Sequence, residues 1–369
     1  MDDKEKIKDL LSRAGVKVNG SNPWDIQVNN DSFFQRILSG GSLALGESYM
    51  DGWFDIEDLD VFFDRVLSAK LDEKIITSSL FFRIIRAKIL NLQDTPRAFT
   101  VGRNHYDIGN DLYARMLDKR LVYTCGYWKN ARTLDEAQEA KLDLVCRKLN
   151  IIKGQRILDI GCGWGSFAKF AAMQYGADVV GVTISKEQVK FAKENTRGLS
   201  VDIRFQDYRE LDEQFDHVVS LGMFEHVGYK NYRAYMEIVH RNLKGCGMFL
   251  LHTIGGNKSS YINEPWMEKY IFPGGMLPSI TQIGKSIEGL FVMEDWHNFG
   301  AYYDNTLMHW FKNFDTHWSE IQNQYSNRFY RMWKYYLLAS AGSFRSRRNQ
   351  LWQIVLSKNG VRGVYNSIR

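Results

Sequence analysis

The chain has 369 residues, of which 44% are hydrophobic and 25% charged, and it carries a formal net charge of +5. That length exceeds what one hydrophobic core usually serves, so two domains are expected, and the composition excludes a disordered chain. The opening Met1-Asp-Asp-Lys-Glu-Lys is too charged for a signal peptide and runs such as Met248-Phe-Leu-Leu251 are far below the roughly 20 apolar residues that span a bilayer, so a soluble or peripheral protein is expected.

Residues 1–92 read as a small, mostly helical α+β domain. Residues 4–14 have helical spacing, 33–38 form a second short helix, and the glycines of 40–46 punctuate a bend. Residues 58–67 are helical again, with Leu59, Phe62, Phe63 and Val66 on one face. Residues 80–92 make a basic amphipathic helix in which Arg83, Arg86 and Lys88 sit among aromatic and branched residues. Such a helix lies on an anionic membrane or packs on the core with its charges solvated, and spacing does not separate the two. Pro96 and its polar neighbours make 93–97 a linker, after which 98–369 forms the catalytic domain.

Within that domain the apolar runs 157–160, 179–184, 201–206, 217–221 and 248–252 alternate with helical segments, the sign of a parallel sheet covered on both faces. The first strand empties into Asp159-Ile-Gly-Cys-Gly-Trp-Gly165. Its glycines let the backbone curl and approach a ligand, and the segment from Ser166 reads as a helix whose N-terminus points there. Ligands of such sheets bind beyond the carboxyl ends of the strands. There the sequence gathers Thr183 and Gln188, Gln206-Asp-Tyr208, Met223-Phe-Glu-His-Val-Gly228 and His252-Thr-Ile-Gly255, a concentration of polar and titratable groups that a buried sheet does not require. An Asp at 159 suits a cationic ligand and would repel a pyrophosphate. Cysteines 125, 146, 162 and 246 lack Cys-x-x-Cys spacing, so neither a metal site nor a disulfide frame is expected, and a reducing cytoplasm is the natural setting.

The Asp159-x-Gly-x-Gly-x-Gly form resembles the first motif of S-adenosylmethionine-dependent methyltransferases. Added to it are Leu45-Gly-Glu-Ser-Tyr-Met-Asp-Gly-Trp53, His105-Tyr-Asp-Ile-Gly-Asn-Asp111, Tyr123-Thr-Cys-Gly-Tyr-Trp128, Gly222-Met-Phe-Glu-His-Val-Gly228, Leu251-His-Thr-Ile-Gly255 and Trp296-His-Asn-Phe-Gly300. In this order they resemble the bacterial cyclopropane-fatty-acyl-phospholipid synthases over nearly the whole chain, with the mycolic acid cyclopropane synthases as more distant relatives. The resemblance implies a Rossmann-like methyltransferase domain, S-adenosylmethionine as cofactor, and addition of a methylene group to a cis double bond of unsaturated phospholipids. It also implies a homodimer, cytoplasmic and peripheral on the inner face of the membrane.

By the same resemblance the ring-closing proton is taken by a bound bicarbonate, held by groups that carry over onto Cys125, Glu225, His252, Ile254 and Tyr303. Ile254 has only its backbone to offer and Tyr303 a hydroxyl. Glu225 would repel the anion unless it accepts from the ion's O–H or takes its proton. Cys125 has no adjacent base to make it a nucleophile, so it reads as an anion contact. Asp159, Gly161 and Gly163 would meet the methionine portion of the cofactor. Thr183 replaces the acidic residue that commonly binds the ribose, with Gln188 supplying hydrogen bonds. Gln206, Asp207 and Tyr208 would edge the adenine, and Tyr123 and Thr124 would close over it.

Residues 266–278 are apolar enough for a lid over an acyl chain. Trp310, Phe311, Phe314 and Trp318 either line the same tunnel or face a core, and Arg345, Arg347 and Arg348 either meet phosphate or are solvated. A nucleic-acid methyltransferase is disfavoured, because Met-Phe-Glu-His stands where an Asn-Pro-Pro-Tyr type of sequence would stack a flipped base. The alternatives kept are a same-family enzyme giving a methyl-branched lipid and a lipid-binding protein without activity.

Overall fold

The computed structural model describes residues 2–71 and 109–369. The basic segment 80–92, the linker 93–97 and the start of the His105 motif lie outside the described residues.

Helix α1 (Asp3–Ser12) opens on Asp2, whose carboxylate accepts from the Glu5 N–H. Strands β1 (Gln27–Val28) and β2 (Phe54–Asp55) pair antiparallel around α2 (Phe33–Met50), and α3 (Leu59–Ser68) follows. The bend expected over 40–46 is found, narrowed to one residue. Only Gly41 leaves helical geometry, at φ 59°, so the chain kinks there and resumes as helix to Met50. The later glycine serves packing instead, since a side chain on Gly46 would collide with the indole of Trp266.

Helix α4 (Asn110–Met116) leads to α5 (Leu134–Lys148), which begins with a capping box between Thr133 and Glu136 and ends on Arg147 and Lys148, complementing the helix dipole at both ends. The remaining elements are β3 (Arg156–Ile160), α6 (Ser166–Tyr175), β4 (Asp178–Thr183), α7 (Lys186–Asn195), β5 (Val201–Phe205), β6 (Phe215–Leu221), α8 (Tyr232–Asn242), β7 (Leu243–Gly256), α9 (Pro265–Tyr270), α10 (Ile280–Ile287), β8 (Val292–Asn298), α11 (Ala301–Ile321), α12 (Asn327–Arg345) and β9 (Asn349–Ser357).

The sheet has seven strands in the order β5-β4-β3-β6-β7-β9-β8. Neighbours from β5 to β7 are parallel and β8 pairs antiparallel with β9, so the parallel sheet expected from sequence is extended by two strands that its pattern did not announce. The period of two sorts each strand between two cores. Leu158, Val218, Phe249 and Leu251 face Tyr235, Met236 and Val239 of α8, while Ile157, Val219 and Leu250 belong with Leu142 and Val145 of α5 and Phe167 and Ala171 of α6.

In space the described residues divide into two compact units, each gathering segments distant in sequence. The first combines residues 2–71 with Tyr261–Pro273 and Tyr303–Asn349. The second holds the sheet, with residues 109–260, Gly274–Tyr302 and Gln350–Arg369. Two segments placed by sequence in the catalytic domain thus pack with the N-terminal one. A cause is visible at Gly342 of α12, where an added Cβ would stand 2.6 Å from the carbonyl oxygen of Asp60; its absence lets α12 and α3 approach backbone to backbone.

Candidate active site

The glycine turn after β3 has the geometry that its sequence requires. Gly161, Gly163 and Gly165 take φ of 80°, 54° and 80°, the left-handed region that glycine enters without strain. The N–H groups of Gly161 and Cys162 donate to the Val182 carbonyl at 2.9 and 3.1 Å, which pins the turn to β4. A Cβ on Gly163 would meet no protein atom within 4 Å, so the backbone there borders open space.

Beside it Asp159 is 2% exposed, and its Oδ2 has no hydrogen-bond partner. Burial pushes its carboxyl up to about 7, against the opposing charge of Lys141. A buried carboxylate lacking one partner, next to a strain-free glycine turn bordering open space, fits the cationic amino-acid end of S-adenosylmethionine. Thr183 is buried and donates to Gln188 Oε1 at 2.8 Å, while the Gln188 N–H completes the N-cap of α7 by donating to Ser185 Oγ. Asp207 is turned toward its own chain, accepting from the Arg209 N–H at 2.9 Å and pairing with the Arg209 guanidinium at 3.3 Å. Gln206 and Tyr208 flank it, half-buried. Tyr123 stands edge-on to Tyr113 with ring centroids 5.2 Å apart. The Thr124 hydroxyl accepts from Lys141 Nζ at 2.6 Å and its carbonyl from Gln138 at 2.7 Å.

At the carboxyl ends of β6 and β7 a second group of residues assembles. Glu225, in a short 3-10 turn, accepts the Ile254 N–H on Oε1 at 2.7 Å, and its backbone carbonyl accepts from the Met276 N–H at 2.7 Å. Its Oε2 is buried without a partner, and burial pushes the carboxyl up to about 7. His252 lies two residues before Ile254 on the same strand and is 1% exposed. Burial, then the charges of Lys141 and Lys148, hold it well below the ordinary histidine range, so the ring is neutral. With the Gln353 amide nitrogen donating to Nδ1 across 3.3 Å, the ring proton sits on Nε2, which has no partner. The site therefore presents a buried N–H donor and a buried carboxylate acceptor, both unspent. Cys125 is fully buried, its Sγ donating to the Gly126 carbonyl at 3.2 Å.

Ile254 contributes differently from the reading of its type alone. Its N–H is committed to Glu225 and its carbonyl accepts from the Thr253 hydroxyl at 3.0 Å, so it orients the carboxylate. Tyr303 is placed in the first unit, buried, with its ring 4.5 Å from that of Phe344 and 5.9 Å from Trp310.

Sequence reading missed Lys141, Gln138 and Gln353, all buried and all bonded to the residues above. The signal for Lys141 was present, since it shares the inner face of α5 with Ala137, Leu144 and Val145, where an unpartnered cation would be costly. Three further readings acquire structural causes. Trp266 is 1% exposed, its ring 4.5 Å from that of Tyr335 at a tilt of 55° and its Nε1 donating to the Met50 sulfur, which gives the apolar residue at that position a packing role. Trp310 and Phe314 face a core. Arg345 is paired with Asp304 at 2.9 Å and Asp60 at 2.7 Å, so its charge is spent inside the protein.

A parallel sheet with a glycine turn after its first strand, an unspent Asp beside that turn and titratable groups at the neighbouring strand ends defines an S-adenosylmethionine-dependent methyltransferase fold. The family model described as mycolic acid cyclopropane synthetase matches residues 93–354. The cyclopropane-fatty-acyl-phospholipid synthase of Escherichia coli (strain K12) is 55% identical over 364 residues, covering 98% of this chain and 94% of that one. Among solved structures, the cyclopropane synthase MmaA2 from Mycobacterium tuberculosis is 29% identical with a TM-score of 0.67, covering 73% of this chain and 100% of that one. The mycolic acid cyclopropane synthase CmaA1, complexed with SAH and CTAB, is 31% identical with a TM-score of 0.65, covering 70% and 98%. The chain belongs to the mycolic acid cyclopropane synthetase family and is an S-adenosylmethionine-dependent enzyme.

Proposed function

We propose that the protein transfers a methylene group from S-adenosylmethionine to the cis double bond of unsaturated acyl chains in membrane phospholipids, giving cyclopropane fatty acids. The observation that carries the substrate class is the 55% identity to the E. coli enzyme over 98% of the chain, including the N-terminal residues that the family model leaves unmatched. S-adenosylmethionine supplies an electrophilic methyl group. The alkene is a weak nucleophile, so the protein's task is to exclude water and hold donor and acceptor in line. Asp159, Gly161 and Gly163 receive the methionine end. Thr183, Gln188, Gln206, Asp207 and Tyr208 line the nucleoside side, and Tyr123 and Thr124 cover it.

Of the residues onto which the resemblance carries a bicarbonate general base, Cys125, Glu225, His252, Ile254 and Tyr303, we assign the grip on the ion to Glu225 and His252, with Ile254 orienting the Glu225 carboxylate. An unspent imidazole N–H beside an unspent carboxylate supports this reading, since bicarbonate needs a donor for its charged oxygens and an acceptor for its one O–H. The enzyme works as a homodimer docked on the inner face of the membrane. Among the described residues no helix is long and apolar enough to cross a bilayer, so the acyl chain must be drawn to the site.

Mass spectrometry of membrane fatty acids, with and without the protein, should show a gain of one CH₂ per unsaturated chain with loss of the double bond. A product that keeps the double bond, or a saturated methyl branch, would assign the alternative lipid methylation. Turnover should fall in bicarbonate-depleted buffer and return on addition, and indifference to the ion would transfer the role to a protein base. Asp159→Asn should weaken S-adenosylhomocysteine binding by about tenfold to a hundredfold in calorimetry, the worth of one hydrogen bond to a charged group.

A further inference from the structure

We propose that Gln353 is a positioning residue for the anion site: its amide donates to Nδ1 of His252 and so holds the imidazole with its one proton on Nε2, as a donor that grips the anion and takes no proton from it. The inference rests on the reading of Glu225 and His252 as that site. Gln353 stands in β9, which neighbours the His252 strand β7 in the sheet. Around it Leu351, Trp352, Ile354, Val355 and Leu356 are buried and apolar, and Gln353 itself is 0% exposed. An amide in such a strand is costly unless a partner takes its hydrogen bonds. Its cross-strand neighbour on β8, His297, is engaged elsewhere, with its Nδ1 3.1 Å from Lys148 Nζ. The partner is His252, whose Nδ1 lies 3.3 Å from the Gln353 amide nitrogen. Phe299 packs edge-on against the same imidazole, with ring centroids 6.0 Å apart, so packing sets the plane of the ring and Gln353 the place of its proton.

A neutral imidazole has one donor and one acceptor nitrogen, and the bond made by one decides the character of the other. With the amide nitrogen toward the ring, Nδ1 accepts, and Nε2, buried without a partner, carries the proton. With the amide turned over, Nδ1 would donate, and the two residues would offer their ligand two acceptors, Nε2 and Glu225 Oε2, and no donor. An oxyanion that carries one O–H needs one of each. No other side chain of similar length gives the same result. Methionine has no donor for Nδ1. Glutamate would accept from an Nδ1–H, and its charge would favour a second proton on the ring. The neutral amide leaves the ring uncharged, in keeping with the burial and the charges of Lys141 and Lys148 that hold His252 well below the ordinary histidine range. Of the two residues that grip the anion, Glu225 alone is then free to accept the proton released on ring closure.

The test joins histidine-selective nitrogen NMR on the full chain, with the His252 signals identified by their loss in His252→Asn, to the bicarbonate concentration that gives half-maximal turnover. In wild type the nitrogen shifts should show a neutral His252 ring, bare at Nδ1 and protonated at Nε2. Gln353→Glu should place a proton on Nδ1. Gln353→Met keeps the length of the side chain without its donor, and it covers the case in which a buried glutamate prevents folding. It should raise the half-maximal bicarbonate concentration by about threefold to tenfold, the worth of one neutral hydrogen bond, while S-adenosylhomocysteine affinity in calorimetry stays within about twofold of wild type. A wild-type ring protonated on Nδ1 would overturn the inference, as would a Met variant with unchanged bicarbonate dependence. An equal loss of bicarbonate and cofactor affinity in that variant would reduce Gln353 to a packing role and overturn it too. Wild-type turnover indifferent to bicarbonate would instead sink the anion reading, while the nitrogen shifts would still decide the Gln353–His252 bond.

Discussion

Glu225→Gln should reduce turnover by about 10²-fold or more while S-adenosylhomocysteine affinity stays within about twofold of wild type. The substitution is conservative where the fold is concerned, because the amide oxygen can still accept the Ile254 N–H now held at 2.7 Å. What it removes is the charge and the second acceptor at Oε2, the atom left without a partner in a buried site. With the carboxyl pushed up to about 7 by burial, the ionised form needed to accept the anion's proton is gained as pH rises through 7. The pH profile of kcat/KM should show this rise in wild type and lack it in the Gln variant. A Gln variant of near-normal rate would remove Glu225 from the proton path.

Stability should move in the opposite sense. The folded-state pKa of Glu225 lies above its unfolded value of 4.5, so between 4.5 and about 7 the folded protein holds a proton that the unfolded chain has lost. Its contribution is fully present below 4.5 and is lost as pH rises through 7. The neutral amide has no such loss. Thermal melts should therefore show Glu225→Gln gaining on wild type between pH 5 and pH 8, even as its activity falls. An unfolding midpoint that drops at pH 8 would mean that the hydrogen bonds from Ile254 and Thr253 hold the charged carboxylate more strongly than burial opposes it.

The glycine turn, the five parallel strands and the strand-end residues were legible in the sequence because each rests on local physics: a left-handed backbone that wants glycine, and apolar runs of strand length. The two added strands were not. Val292-Met-Glu-Asp-Trp-His-Asn298 has neither an apolar run nor a clean alternation, and Asp295 on it is an interior anion paired with Lys148 at 3.5 Å and with Arg369 at 2.6 Å. The bend expected at 40–46 is confined to Gly41, and the rest of that segment is helical for a related reason. Gly40 and Gly46 read as turn residues, but Gly46 is small because Trp266, 220 positions away, fills the space beside it. Lys141 shows the same limit from the other side. Its place on an apolar helix face was visible, whereas its partners Thr124, Asp118 and Asp159 come from separate loops and strands that only the fold assembles. Local conformation was readable, and long-range pairings were not.

Gly255→Ala should be the most damaging single methyl group that can be added to the strand carrying the site. Gly255 directly follows Ile254 on β7, and a Cβ there would stand 1.9 Å from Cζ3 of Trp352, whose side chain is 2% exposed and set edge-on to Trp296 at 5.1 Å. The backbone at Gly255 is not left-handed, so alanine meets no conformational penalty and the effect is steric. Neither side can yield cheaply. Trp352 is wedged in β9 between the neighbouring strands, and the end of β7 is tied through Ile254 to Glu225 and through the carbonyl of His252 to the Gly222 N–H at 2.9 Å. Overpacking of this kind costs ~1–3 kcal/mol and sometimes more. A displacement of β7 passes directly to the Glu225 carboxylate and the His252 ring, so turnover should fall by about tenfold even in the folded fraction. The decisive measurement is a double-mutant cycle with Trp352→Leu, which removes the ring and is itself destabilising through the cavity it leaves. If the clash is the cause, the double variant should be more stable than the sum of the single losses predicts by at least ~1 kcal/mol, with part of the turnover restored. Strict additivity would show that the strand end relaxes away from the ring, and that the geometry of the site does not depend on the Gly255–Trp352 contact.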